Sequence, residues 1–194
     1  MKLLMHSCCA PCSVYCVQTL RNKGIEPTLF WYNPNIHPYL EYKARRESLK
    51  EYSSKMYLEL IIEDEYGLDN FCKNVSDKLS SRCVDYCYPL RLRKVFEYAK
   101  ENGYDTVTTT LLYSIYQNHN YIKSLMEKLS KEFEIDFLYI DFRHGFWEGH
   151  DKAKEYELYM QKYCGCIFSE EDRYLYKKKD SLNVPENFVW RSRK

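Results

Sequence analysis

Five short apolar or β-branched runs alternate with amphipathic stretches along a chain of 194 residues, and that alternation leaves few architectures open. Leu3 to His6, Thr28 to Tyr32, Tyr57 to Ile62, Asp105 to Thr110 and Phe137 to Ile140 read as strands. Between them, Cys12, Cys16, Val17 and Leu20 mark one face of a helix that Asn22-Lys23-Gly24 stops. A polar helix covers Tyr39 to Lys55. Another runs from Tyr88 to Lys100 on a stripe of Leu92, Val95, Phe96 and Ala99, with Asn102-Gly103 as its cap. Tyr121, Ile122, Leu125, Met126 and Leu129 mark a further helix, and Gly149 to Met160 the next. Residues 63–82 lack clean periodicity beyond one short helix near Asn70 to Lys78. Ser169-Glu170-Glu171-Asp172 has the form of a capping box opening a last short helix. Repeated β-then-α units with short loops predict an α/β fold with a doubly wound, mostly parallel five-stranded sheet. The length suits one domain, set at 1–176, followed by a basic extension over 177–194; from Arg173 onward there are seven basic and two acidic residues.

In such a sheet the ligand crevice lies beyond the carboxyl ends of the strands. The distinctive residues fall there: Ser7-Cys8-Cys9 after the first strand, Asn33 to His37 after the second, Thr109 to Ser114 after the fourth, and Asp141 to His144 after the fifth. That coincidence points to a single site.

The thiols say what kind. Nine cysteines occur in a chain with no apolar run near the ~20 residues of a membrane span and no signal-peptide pattern, so a cytoplasmic location is expected. In a reducing compartment such a set reads as metal or redox chemistry before it reads as structural disulfides. A formal net charge of +1 excludes a polycation but not a local RNA-binding face. Cys8, Cys9 and Cys12 stand where a strand breaks into a helix, whose free first-turn amides favour thiolates. Cys83 and Cys87 form a second pair; together with Cys8 and Cys9 they make a four-thiolate set that suits zinc or iron–sulfur equally. Cys164-Gly165-Cys166 permits a strained, redox-active disulfide, a metal site or inert thiols. Cys16 lies on the apolar helix face and reads as core.

These residues carry a resemblance. Leu4-Met5-His6-Ser7-Cys8-Cys9-Ala10-Pro11-Cys12-Ser13, Asn33-Pro34-Asn35-Ile36-His37-Pro38, Arg82-Cys83 with Cys87-Tyr88, Thr108-Thr109-Thr110 and Tyr163-Cys164-Gly165-Cys166 resemble the QueH-type epoxyqueuosine reductases from residue 3 to about residue 170. The resemblance implies a HUP-like fold akin to the adenine-nucleotide α-hydrolases. It implies a cobalamin-independent enzyme that reduces the epoxide of epoxyqueuosine in tRNA to queuosine, drawing on an external electron donor. It further implies a 4Fe-4S cluster on Cys8, Cys9, Cys83 and Cys87, with Cys164 and Cys166 as a redox-active pair. An additional mononuclear iron is associated with the family, and Cys12 is a candidate ligand for it. One departure stands out: three residues separate Cys83 from Cys87 where many members of the family have two. The loop from Ser7 to Cys12 has neither glycine nor lysine, so it lacks the phosphate cradle of nucleotide-binding relatives.

Deoxygenating an epoxide also needs protons. His37 is the leading candidate donor, beside His6, His144 and Tyr32, with Asp141 and Arg143 as polar site residues; His119 and His150 read as solvent-facing. Arg82, Arg91, Arg93 and Lys94, with Lys177-Lys178-Lys179, Arg191, Arg193 and Lys194, offer phosphate contacts. Tyr86, Tyr88, Tyr113 and Tyr163 adjoin the motifs as stacking candidates. Alternative readings are a thiolate–zinc RNA-binding module, a plain thiol–disulfide oxidoreductase, or an ATP-dependent tRNA-modifying enzyme of the same superfamily.

Overall fold

Strands buried on both faces run near-continuously apolar, and two of the runs come close to that. β1 (Leu3–His6) and β2 (Pro27–Trp31) are buried at every position, as is β4 (Thr106–Thr109), whose threonines are β-branched. In the computed structural model, which describes residues 1–176 and 182–189, these strands form the centre of a parallel sheet ordered β3-β2-β1-β4-β5. β3 (Leu60–Ile62) and β5 (Asp136–Phe137) are the edges. The register aligns His6 with Phe30 on one side and with Thr109 on the other. The chain winds outward from β1 to β3 and then crosses back to β4, so the topological switch point lies between β1 and β4.

The helices cover the sheet in two groups. α1 (Ala10–Arg21) packs on α2 (Tyr39–Lys55) and on α6 (Phe146–Glu155), while α4 (Tyr88–Glu101) packs on α5 (His119–Phe133), β1 and β4. α3 (Leu68–Val75) and α7 (Ile167–Tyr174) flank a smaller apolar cluster of Phe71, Val75, Cys87 and Cys166.

Five helices end alike. After α1, α2, α4, α5 and α6 the chain enters a left-handed residue, respectively Gly24, Tyr57, Gly103, Glu134 and Glu157. The amide of the apolar residue that follows then closes on the carbonyl five positions earlier: Ile25 on Leu20, Leu58 on Ser53, Tyr104 on Ala99, Ile135 on Ser130 and Leu158 on Ala153. Three of the five left-handed residues are not glycine, and this explains two departures from expectation. Tyr57 terminates α2, so β3 begins at Leu60; Glu157 terminates α6 well before Met160, and the helix itself starts earlier, at Phe146. β5 is also shorter than expected, because at the sheet edge only β4 offers it partners.

α7 corrects the capping-box reading. The helix begins at Ile167 with Cys166 at its N-cap, and Ser169 lies inside the first turn. The Ser169 hydroxyl reaches back, accepting from the Gly165 N–H (3.1 Å) and donating to the Cys166 carbonyl (2.7 Å). Residues 182–189 return to the core: the Asn183 amide donates to the Ile115 carbonyl, and Phe188 is buried. The basic residues Lys177, Lys178, Lys179, Arg191, Arg193 and Lys194 lie outside the described residues.

Candidate metal and redox site

β1 ends at His6, and Ser7 still pairs with β2 before the backbone turns into α1. Cys9 is the N-cap in extended conformation, and Pro sits in the first turn of α1, where no amide is needed. The turn aims three side chains at one point: the sulfurs of Cys8, Cys9 and Cys12 all lie within 4.8 Å of one another. Among the described residues this is the one group of three or more metal-ligating side chains at that spacing. Across the switch point, Thr110 brackets Cys8, accepting its N–H (3.1 Å) and donating its hydroxyl to Sγ (3.3 Å). Hydrogen bonds from the Cys12 and Cys9 thiols hold the Cys8 thiol well below its ordinary range, against the opposing effect of burial. Burial pushes Cys9 up, and the bond to Cys8 pushes Cys12 up. Cys8 is therefore the first thiolate of the triad.

The second thiol region is built differently. Cys83–Cys87 forms one turn of π-helix, closed by the Tyr88 N–H on the Cys83 carbonyl. A π-turn holds one residue more than an α-turn, so it absorbs the extra residue of this pair and keeps both sulfurs on one face. A hydrogen bond from Cys87, reinforced by the charges of Arg82 and Arg91, brings Cys83 down to about 6. The same bond drives Cys87 up. Cys166 is buried beside Cys87, within reach of the Arg82 guanidinium. Cys164 is exposed, and its Sγ accepts from Gln117 Nε2 at 3.4 Å. All nine cysteines are free thiols.

The Cys164–Cys166 loop is held by residues that sequence reasoning did not single out. Arg45, 2% exposed, donates to the carbonyls of Cys164 and Tyr163 (both 2.9 Å) and is neutralised by Glu41 at 2.6 Å. The His37 amide donates to the Gly165 carbonyl (2.7 Å), and the Tyr163 hydroxyl to the His37 carbonyl (2.8 Å). Gly165 has φ +155, and a Cβ there would approach Ile36 Cγ1 to 3.3 Å. Gln161 faces the triad, with Nε2 2.9 Å from Cys9 Sγ and 3.6 Å from Cys12 Sγ. An Arg at an i+4 spacing from a Glu was the only trace of the first device; Gln161 left none.

The histidines divide sharply. His6 is buried, with Nε2 toward the Tyr32 carbonyl (3.3 Å) and Nδ1 toward the Thr109 hydroxyl (3.0 Å). A carbonyl only accepts, so the proton sits on Nε2, and burial lowers the pKa to about 4. His37 is fully buried against Phe71 and Tyr66, and burial lowers it to about 4 as well, against a smaller raising contact with the Pro34 backbone. His119 is not solvent-facing as expected: it is buried, bonds the Tyr139 hydroxyl at 3.1 Å, and is likewise lowered to about 4 by burial. His150 is half-buried, with Nδ1 3.6 Å from Asp151, and His144 is exposed. The Tyr32 hydroxyl donates to Glu65, and burial raises its pKa. Asp141 caps the turn that follows β5 and pairs with Arg143, which binds Asn183.

The basic face is also revised. Arg91 is 4% exposed and donates to the Cys87 carbonyl, so it belongs to the thiol region and not to the surface. Arg82 pairs with Asp172, Arg93 with Glu132 and Lys94 with Glu63. Tyr88 and Tyr113 are buried, with hydroxyls donating to Gln117 and to the Phe146 carbonyl. No helix among the described residues is long and apolar enough to cross a membrane.

Comparison with known proteins gives a consistent result. The profile of a family described as "Epoxyqueuosine reductase QueH" matches residues 3–172. A protein of that name from Dehalococcoides mccartyi is 37% identical over 173 residues, spanning 89% of this chain and 94% of the relative. Another from Histophilus somni is 33% identical over 88% of this chain and 73% of its own length. One from Thermotoga maritima is 30% identical over 88% and 91%.

Proposed function

The chain belongs to the QueH family of epoxyqueuosine reductases, and from that premise we propose that its thiol site performs the family's reaction on tRNA. The epoxide of epoxyqueuosine takes up two electrons and two protons, both C–O bonds break, the alkene of queuosine forms, and the oxygen leaves as water. This is the last step of queuosine biosynthesis. The electrons are assigned to an external reductant, and a reaction on tRNA fits a cytoplasmic location. The zinc-module and ATP-dependent alternatives find no support in the relatives.

The observation that carries the reading is the convergence of three sulfurs within 4.8 Å at the sheet's switch point, with the Cys8 thiol lowered by hydrogen bonds from Cys12 and Cys9. A donor set made of thiolates fits an iron–sulfur centre, and the depressed Cys83 offers a second anionic sulfur. We assign Cys8, Cys9, Cys83 and Cys87 to a 4Fe-4S cluster and Cys12 to an additional iron. When bound, such a centre would supply single electrons and Lewis acidity for loss of the epoxide oxygen.

The chain's own residues do the rest. Thr110 and the start of α1 fix Cys8. Arg45 and Gly165 set the loop that carries Cys164 and Cys166, the pair assigned to relay reducing equivalents as a dithiol becomes a disulfide. We assign His37, in the loop after β2, as the proton donor; its ring packs fully buried against Phe71 and Tyr66, so the substrate must displace that packing to reach it. The test is anaerobic: protein reconstituted with iron and sulfide is given epoxyqueuosine-containing tRNA and dithionite, and nucleosides are read by mass spectrometry. Conversion to queuosine is expected; iron-loaded protein that leaves the epoxide intact would contradict the reading.

A further inference from the structure

Gln161 lies between α6 and α7, three residues before Cys164, and reaches back across the site to the triad. Its amide nitrogen is 2.9 Å from Cys9 Sγ and 3.6 Å from Cys12 Sγ, and its Oε1 is buried with no partner. That orientation has a chemical reason. A sulfur that binds a metal has given up its proton and can only accept, so the side-chain amide must present N–H and leave its oxygen aside. The carboxamide turns its N–H to the sulfurs of Cys9 and Cys12 even though its own oxygen goes unbonded.

We propose that Gln161 is a positioning residue of the metal site. Its N–H donates to the metal-binding sulfur of Cys9, with Cys12 as the second acceptor, and thereby sets the reduction potential of the bound centre. The inference rests on the reading that the triad holds iron. A hydrogen bond to a ligand sulfur draws charge from it and favours the more electron-rich state of the metal, so the potential rises. The same contact ties the stretch that leads into Cys164 to the first thiol region, so potential and loop position are set by one side chain.

Two variants separate a donor from a space-filler. Gln161→Met keeps the length and removes the N–H; Gln161→Glu keeps the shape and turns a carboxylate toward the sulfurs. All three proteins are reconstituted anaerobically with iron and sulfide, and iron content and midpoint potential are measured. A parallel set loaded with Co(II) reads the sulfur-to-metal charge-transfer band. At equal iron content the potential is expected to fall from wild type to Met and further to Glu. The band is expected to move to lower energy in the same order. Three coincident potentials at equal iron content would overturn the inference. So would a folded Gln161→Met protein that takes up no metal, because Gln161 would then be required to hold the centre and not to tune it. Wild-type protein that binds no iron would overturn the metal reading itself, and this inference with it.

Discussion

The two thiol regions reach similar ends by opposite means. The triad of Cys8, Cys9 and Cys12 is positioned by backbone: a buried strand, a tight turn and a helix N-terminus leave its side chains little choice. The region of Cys83, Cys87, Cys164 and Cys166 sits on a π-turn and a loop, and is held by buried or half-buried arginines. A site on regular elements is fixed by the fold itself. One on irregular backbone needs dedicated side chains, and the hydrogen bond from Cys87, with the charges of Arg82 and Arg91, lowers the pKa of Cys83.

The sharpest break in this comparison comes from Cys8→Ala. Cys8 is only partly buried, so the chain should stay folded while metal uptake and turnover are lost entirely; metal analysis and assay check both. Metal retained at the wild-type level would show that the first region is not where iron is held.

Next in size is Arg45→Ala. Removing one partner of a buried pair leaves Glu41 uncompensated and is expected to cost about 3–5 kcal/mol in denaturant unfolding. An Arg45→Met, Glu41→Leu double variant should recover much of that stability while leaving the Tyr163 and Cys164 carbonyls unheld, so turnover stays low. Full activity in the double variant would mean that the second region does not need its guanidinium strut.

Acid acts on both regions. His6, His37 and His119 each titrate near 4 in the folded protein against an ordinary value near 6.5. Above 6.5 folded and unfolded states are equally neutral at these groups. Below it the unfolded chain binds more protons, so stability is lost as pH falls from 6.5 toward 4. Each imidazole contributes a slope of about 1.4 kcal/mol per pH unit within that window. His37→Asn should flatten the curve by roughly one proton; an unchanged slope would place His37 in solvent.

The smallest effect belongs to the surface. Arg93→Glu with Lys94→Glu should change stability by about 0.5 kcal/mol or less, unlike any change at Arg45 or Arg91. If this face meets tRNA, affinity falls and its salt dependence flattens; unchanged binding locates the RNA elsewhere.

What was legible follows the same division. The strand centres, α2 and the Cys8–Cys9–Cys12 turn are local patterns, and local patterns are written in consecutive residues. The start of β3 and the end of α6 were not, because Tyr57 and Glu157 take a left-handed conformation that composition assigns to glycine. Arg91 read as surface because charge along a helix is ambiguous until its face is known, and that face proved buried. Gln161 and Arg45 act on atoms more than a hundred positions away, and no spacing rule reaches that far.

Whether the two regions hold one centre is tested most directly by EPR of the reduced, iron-reconstituted protein. Wild type is compared with Cys83→Ala and with Cys87→Ala. A 4Fe-4S signal is expected in wild type and its loss from both variants, although the triad is intact in each. The wild-type signal persisting unchanged in either variant would contradict it.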